Sequence, residues 1–139
     1  MKITVIDGQG GSLGKALVAA IKKRFPHEEV FAIGTNALAA SAMLGSGADA
    51  AASGENPVLV ACRKSEVIIG PIGLLAADSL HGEITPAMAV AIGQSSAHKI
   101  LLPITKCNVS IVGKQELSTK EMIEGAVAEL ASYLVDRSL

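Results

Sequence analysis

Two stretches of the sequence hold residue types whose spacing could support chemistry. The first is a glycine-rich run, DGQGGSLGK at positions 7–15, and the second is a polar cluster, DSLHGEITP at positions 78–86. A glycine loop between a strand and a helix can present backbone N–H groups to a phosphate. The polar cluster combines a histidine, which titrates near neutrality, with two carboxylates. The sequence therefore predicts an anion-binding loop with proton-transfer groups elsewhere in the chain.

Each glycine of the run has a predicted role. Gly8 turns the chain off the first strand, and Gly10 and Gly11 carry no Cβ, so a phosphate can approach the backbone. Gly14 lets the following helix pack closely, and Lys15 adds a point charge. The competing interpretation is a glycine-rich turn that serves packing alone.

The run matches neither common phosphate-binding pattern in full. Relative to G-x-G-x-x-G the third glycine falls one residue late, at Gly14 instead of Leu13. The P-loop pattern fails because Gln9 replaces its first glycine and Ala16 replaces the hydroxyl that would hold Mg²⁺. A nucleoside triphosphatase is therefore not expected.

The end of the second predicted strand reads Gly34-Thr35-Asn36. Dinucleotide-binding folds usually place a carboxylate here, about 20 residues after the glycines, to bind a ribose hydroxyl. Its absence weakens an NAD interpretation. Thr35 and Asn36 are expected either to hydrogen-bond a ribose or phosphate or to cap the next helix.

The loops that follow the later strands should face the same crevice, because ligands bind beyond the carboxyl ends of parallel strands. GPIG at 70–73 would form a backbone wall for the ligand. The candidate cofactor-binding residues are Gly8, Gln9, Gly10, Gly11, Ser12, Leu13, Gly14, Thr35, Asn36, Gly70, Pro71, Ile72 and Gly73. Lys106 and Asn108 are candidate ligand contacts, and Cys107 would be reactive only if Lys106 lowered its pKa.

The catalytic candidates come from the polar cluster. His81 would transfer a proton, with Glu83 or Asp78 orienting it or acting as the base. The competing interpretation is a solvated loop in which Thr85 caps the next helix. No His pair or Cys cluster with metal-ligand spacing is present in the sequence, so no metal site is expected.

Alternating apolar periodicities define the elements that must position these residues. Strands are predicted at 2–7, 30–34, 48–53, 67–70 and 99–104, with a further one at 109–112. Helices are predicted at 12–24, from Asn36 to about 45–47, at 57–63, at 86–93, and after a capping box formed by Ser118 and Glu121. Strands alternating with helices predict a single α/β Rossmann-like domain over 1–139. Its mainly parallel sheet would carry helices on both faces, including a C-terminal helix.

Composition narrows the functional class. The net charge of −1 and the three aromatic residues argue against a nucleic-acid partner. The uncharged stretch 30–48 holds polar residues and glycines, so no membrane span is expected, and the absence of a signal-peptide pattern predicts a cytoplasmic protein.

With these loops placed, the chain resembles a family of short bacterial Rossmann-like proteins described as a domain of unknown function. The resemblance rests on IDGQGG at 6–11, GTN at 34–36, GEN at 54–56, GPIG at 70–73, GEITPAMA at 82–89 and PITKCN at 103–108. It implies a Rossmann-like fold and supplies no activity.

Three functions remain open at this point. The first is a nucleotide- or dinucleotide-binding protein with NAD or NADP as the cofactor, which would be a small oxidoreductase. The second is a non-catalytic sensor or partner module for a phosphorylated metabolite. The third is a small transferase or isomerase acting on a phosphorylated substrate. The chain leaves no room for a separate substrate domain, so a homodimer is expected to complete the site.

Overall fold

The computed structural model describes residues 2–104 and 108–138. Over these residues strands and helices alternate along the chain. The strands are β1 Lys2–Asp7, β2 Glu29–Gly34, β3 Ala50–Ser53, β4 Val67–Pro71 and β5 His98–Leu102. The helices are α1 Ser12–Arg24, α2 Ala37–Gly45, α3 Glu55–Lys64, α4 Pro86–Gln94 and α5 Thr119–Ser138, and a 3₁₀ turn spans Ile72–Leu75.

All four strand pairings are parallel, and the strand order in the sheet is β3-β2-β1-β4-β5. The chain therefore builds outward from β1 to one edge and then returns to β1's other side with β4. The point between β1 and β4, where the direction of winding reverses, is where open α/β sheets place their ligands. The predicted α/β domain with a parallel sheet is confirmed.

Helices cover both faces of the sheet. On β1, Ile3 and Val5 point toward a core that is shared with α1, α2 and α5, while Ile6 points toward a second core shared with α3 and α4. Strand β1 is thus apolar on both sides, as a buried parallel strand must be. The prediction of a doubly covered sheet with a C-terminal helix is confirmed.

Helix N-termini follow the predicted capping chemistry. The Asn36 side chain accepts a hydrogen bond from Ala39 N at 2.8 Å and begins α2, and Thr85 Oγ1 accepts from Met88 N at 3.2 Å and begins α4. At α5, Ser118 Oγ accepts from Glu121 N at 3.1 Å. Each bond satisfies an N–H group that the helix itself leaves unpaired.

Several predicted boundaries shift by one or two residues, including the start of β3, which is Ala50 and not residue 48. Helix α3 begins at Glu55, two residues before the predicted start, so Pro57 lies within the first turn, where its missing N–H costs nothing. Strand β5 ends at Leu102 because Pro103 has no N–H to continue the ladder.

The predicted strand at 109–112 is wrong. These residues lie outside the regular elements, and Val112 is fully exposed. Their β-branched composition suits a strand, but a strand also needs a neighbour to pair with, and none of the described strands pairs with them.

Among the described residues, no helix is long and apolar enough to cross a bilayer.

Candidate functional site

A pocket of about 280 Å³ lies at the carboxyl ends of β1 and β4, at the reversal point of the sheet. Its walls come from the glycine loop, the end of β4, the segment before α4, the chain after β5 and the start of α5. The lining residues are Asp7, Gly8, Gln9, Gly10, Gly11, Ser12, Leu13, Pro71, Gly73, Ser79, Leu80, Ile104 and Thr119. Six of the thirteen predicted cofactor-binding residues are thus a continuous run along one wall.

Two glycines of the loop are required by the fold. Gly11 has a φ of 75°, and a Cβ added there would lie 2.7 Å from Ala39 Cα in α2. A Cβ at Gly14 would lie 2.5 Å from Met43 Sδ and 2.8 Å from Asp7 Cβ. Both contacts are closer than side chains tolerate, so packing of α1 against α2 and β1 explains these glycines without any ligand.

Gly10 is different. It is exposed on the pocket wall, and a Cβ added there would meet nothing within 4 Å. Its φ also lies outside the left-handed region that favours glycine. Neither conformation nor packing therefore explains a glycine at this position, whereas close approach of a ligand to the backbone would.

The first turn of α1 offers N–H groups to the pocket. Gly14 N donates to Asp7 Oδ2 at 2.7 Å, so a buried carboxylate already takes one of them. Among the described residues, no acceptor lies within hydrogen-bonding reach of the N–H groups of Ser12 and Leu13. These two groups remain available to an anion at the positive end of the helix dipole.

A second helix begins at the same pocket. Thr119 is the first residue of α5 and lines the same cavity as the start of α1. The positive ends of two helix dipoles therefore border one space. None of the described lining residues carries a basic side chain, Lys15 is exposed outside the lining, and Asp7 places a carboxylate in it, so the groups among the described residues that favour an anion are backbone N–H groups and helix dipoles.

The Glu83 side chain hydrogen-bonds to both the glycine loop and the residues that follow β2. Its Oε1 accepts from Gln9 N at 2.9 Å and from Asn36 Nδ2 at 2.8 Å, and it also accepts from Thr35 Oγ1. Partial burial opposes ionisation of the carboxyl, but these three hydrogen bonds and the nearby charge of His81 outweigh it and lower the pKa of Glu83. The carboxylate is therefore held as an anion against the end of β2.

Thr35 and Asn36 are engaged with protein atoms. Besides its bond to Glu83, Asn36 donates to Gln9 O at 2.9 Å and caps α2 through its carbonyl oxygen. Thr35 N donates to Asp7 O at 3.0 Å. Both residues lie outside the pocket lining and join the glycine loop to β2.

The other two catalytic candidates are exposed. Asp78 and His81 have left-handed φ values of 66° and 57°, and neither lines the pocket. The segment between them turns inward instead: Ser79 is buried, with its hydroxyl donating to Gly73 O at 2.5 Å, and Leu80 forms part of the pocket wall. The structure thus brings one of the three candidates, Glu83, to the glycine loop.

Of the remaining candidate ligand-binding residues, some line the pocket and others do not. Pro71 and Gly73 line the pocket, whereas Gly70, which is buried against Ile6 O, and Ile72 lie outside the lining. Asn108 is exposed and outside the lining. Lys106 and Cys107 lie outside the described residues. Within the described part of the chain, no group of three or more His, Cys, Asp or Glu residues could hold a metal ion.

Five lining residues are absent from the sequence-based candidates: Asp7, Ser79, Leu80, Ile104 and Thr119. Asp7 directly ends β1, so its place at the crevice follows from the topological rule and could have been predicted. Ser79 and Leu80 lie inside the polar cluster, but the predicted roles there went to the ionisable residues Asp78, His81 and Glu83. Thr119 carries no local signal, because only the docking of α5 on the sheet brings it there.

Comparison with known proteins gives a family without an activity. No curated protein and no solved structure matches the chain. The model of one family, described as Domain of unknown function (DUF3842), matches residues 2–135. Because this match spans nearly the whole chain, the protein belongs to the DUF3842 family.

Proposed function

We propose that this protein binds a phosphate-bearing ligand of the nucleotide class, with its phosphate at the loop formed by residues 8–15. The observation that carries the proposal is the convergence of two helix N-termini, α1 and α5, on one pocket at the reversal point of the sheet. Such a space favours an anion, since the dipole ends and the unpaired N–H groups act together.

The backbone supplies the contacts for the phosphate. The N–H groups of Ser12 and Leu13 would donate to its oxygens, and Gly10 leaves room for it to approach. A hydrogen bond to a charged group contributes about 1.5–3 kcal/mol. The walls formed by Pro71, Leu80 and Ile104 supply the apolar surface that a ring system needs.

A binding role receives more support than an oxidoreductase mechanism. None of the three catalytic candidates lines the pocket, and the engaged oxygen of Glu83 already accepts three hydrogen bonds. This arrangement favours the second candidate function, a sensor or partner module that binds a phosphorylated metabolite. For a transferase or isomerase acting on such a metabolite, Asp7 is the carboxylate that borders the pocket.

A ligand panel with one variant tests the proposal. We expect at least one of NAD, NADP, FAD, ATP and simple sugar phosphates to raise the melting temperature, since a ligand at 100 times its Kd stabilises by about 2.7 kcal/mol. Gly10→Val should lower the affinity at least tenfold while changing the free energy of unfolding by less than about 0.5 kcal/mol, because the fold has space for the side chain. Calorimetric titration measures the affinity.

The matched control is Gly45→Val. Gly45 is also exposed, also has nothing within 4 Å of an added Cβ, and lies at the far end of α2. This variant should bind like the wild type. If no ligand of the panel shifts the melting temperature at millimolar concentration, or if Gly10→Val binds as tightly as Gly45→Val, the proposed site is wrong.

We also propose that the protein is a homodimer. The segment after β5 exposes apolar side chains, including Val109, Val112 and Leu117. Strand β5 lies at the edge of the sheet and has β4 as its paired neighbour. A sheet edge and a run of exposed apolar side chains are both surfaces that proteins usually cover, and we propose that a second copy of the chain covers them.

A further inference from the structure

The β2 side of the glycine loop is already filled by protein atoms. A Cβ placed on Gly8 would lie 2.5 Å from Thr35 Oγ1 and 3.0 Å from both Glu83 Oε1 and Leu80 Cδ1. These three side chains come from two separate segments and meet over the same backbone atom. No space remains between Gly8 and the end of β2 for a ligand to enter.

Glu83 places its carboxylate where a dinucleotide-binding protein would contact the ribose of its ligand. In dinucleotide-binding sheets a carboxylate at the end of β2 binds a hydroxyl of the ribose in the adenosine half. Here the donors at that position, Thr35 Oγ1 and Asn36 Nδ2, both point to Glu83 Oε1. The N–H of Gln9 donates to the same oxygen, which removes another backbone donor of the loop from the pocket. Glu83 thus engages all three of these donors, and they occupy its Oε1 in place of a ribose hydroxyl.

The segment that delivers Glu83 is held in place at several points. Asp78 N donates to Ile84 O at 2.7 Å, and Ile84 N donates to Ser79 O at 3.2 Å. Glu83 N itself donates to Leu80 O at 3.1 Å. The carboxylate is therefore presented by a segment with its own backbone hydrogen bonds, which fixes it against the loop.

The lining of the pocket includes the end of β4 and no residue of β2. Its walls beyond the glycine loop come from the end of β4, the 3₁₀ turn, the segment before α4, the chain after β5 and the start of α5, with the residues Pro71, Gly73, Ser79, Leu80, Ile104 and Thr119. The volume of about 280 Å³ is near the lower limit of small-ligand sites, which run from about 300 to 1,000 Å³. The available space lies on one side of the loop and suits one nucleotide-sized unit.

We propose that Glu83 closes the β2 half of the site, so that the pocket takes a compact phosphomonoester, of the size of a mononucleotide or sugar phosphate, in place of a dinucleotide. This inference rests on the proposed function and narrows its ligand class. The phosphate lies at the start of α1, and the rest of the ligand extends toward β4 and α5.

Affinities of two ligand sizes test this inference. For the wild type, the tightest of AMP, nicotinamide mononucleotide and ribose 5-phosphate should bind at least as tightly as NAD and NADP. Glu83→Ala should strengthen dinucleotide binding at least fivefold, since it frees Thr35, Asn36 and Gln9 N, and should change monophosphate binding less than threefold. Glu83→Gln is the matched control, because it fills the same space and should keep the dinucleotides weak.

The outcomes separate the two proposals. If NAD binds the wild type at least tenfold more tightly than all three monophosphates, or if Glu83→Ala leaves or lowers dinucleotide affinity, the closure by Glu83 is overturned while ligand binding stands. A loss of NAD affinity in that variant would mean that Glu83 contacts the ribose directly. If none of these five compounds binds, and FAD and ATP also fail to bind, the proposed function fails and this inference fails with it.

A measurement on the wild type covers the case in which Glu83→Ala does not fold. Amide chemical shifts recorded by NMR during titration with the tightest monophosphate should change most at Gly10, Ser12, Leu13 and Gly73. Gly34 and Thr35 should change least. Largest changes at the end of β2 would overturn the inference.

Discussion

At the residue scale, the structure separates glycines that the sequence presents as one motif. The pattern predicts a phosphate role for Gly10 and Gly11 alike, yet Gly11 is required by its φ of 75° and by its contact with Ala39. Of these two positions, only that of Gly10 has no packing or conformational requirement for glycine. Such a distinction depends on contacts with α2, which no local pattern contains. The position of Glu83 was equally out of reach, because its partners Gln9 and Asn36 lie 74 and 47 residues away in the chain.

Glu83 makes the stability of the protein depend on pH. Its pKa is lowered in the folded state, so its ionised form stabilises the fold above the ordinary value of 4.5, and this stabilisation is lost as the pH falls below that value. We expect Glu83→Gln to have a lower melting temperature than the wild type at about pH 7. The difference should shrink steadily below about pH 4.5.

Thermal unfolding followed by circular dichroism at a series of pH values measures this difference. Exposed Glu124→Gln removes the same charge from the outer surface of α5 and controls for net charge. A wild-type and Glu83→Gln difference that stays constant down to acidic pH would contradict the assigned hydrogen bonds.

At the scale of elements, the features that depend on neighbouring residues were predicted and those that depend on distant ones were not. Asn36, Thr85 and Ser118 each cap a helix as predicted, because a cap and its N–H group lie three residues apart. The strand at 109–112 failed for the opposite reason. Strand formation requires an edge to pair with, and the sequence of a segment says nothing about whether an edge is near.

The capping box of α5 gives a prediction for a single element. Ser118→Ala removes the acceptor for Glu121 N and should cost about 1 kcal/mol, a decrease of roughly 3–5 °C in melting temperature. Ser110→Ala, at an exposed position outside the helices, is the control and should leave stability unchanged. Equal melting temperatures for the two variants in a denaturation experiment would show that the cap does not stabilise α5.

At the scale of the whole molecule, the alternation of elements was enough to predict a parallel sheet covered on both faces. It did not contain the strand order, and the order decides which loops meet. The sequence therefore indicated a shared crevice for the loops after β1 and β4, but not that α5 would close it with Thr119. Long-range packing, which joins residues more than 100 positions apart, supplied that wall.

The proposed dimer is a prediction at this scale. Val112→Asp places a charge on the exposed apolar segment and should convert a dimer into a monomer, since burying an unpaired carboxylate is costly. Light scattering coupled to size exclusion measures the mass. Val135→Asp, on the exposed face of α5, is the control and should leave the mass at twice 14.1 kDa. A wild-type protein that elutes as a monomer at high concentration would refute the dimer.

The central position of β1 also bears on how the chain folds during synthesis. Strand β1 pairs with β2 on one side and with β4 on the other, yet β4 is made only after α1, β2, α2, β3 and α3. At about 5–20 residues per second, one edge of β1 stays unpaired for seconds on the ribosome. That edge is rich in Ile and Val, so it can pair with other chains until β4 docks. Changes that delay β4 would therefore lower the yield of folded protein more than the stability of the final fold.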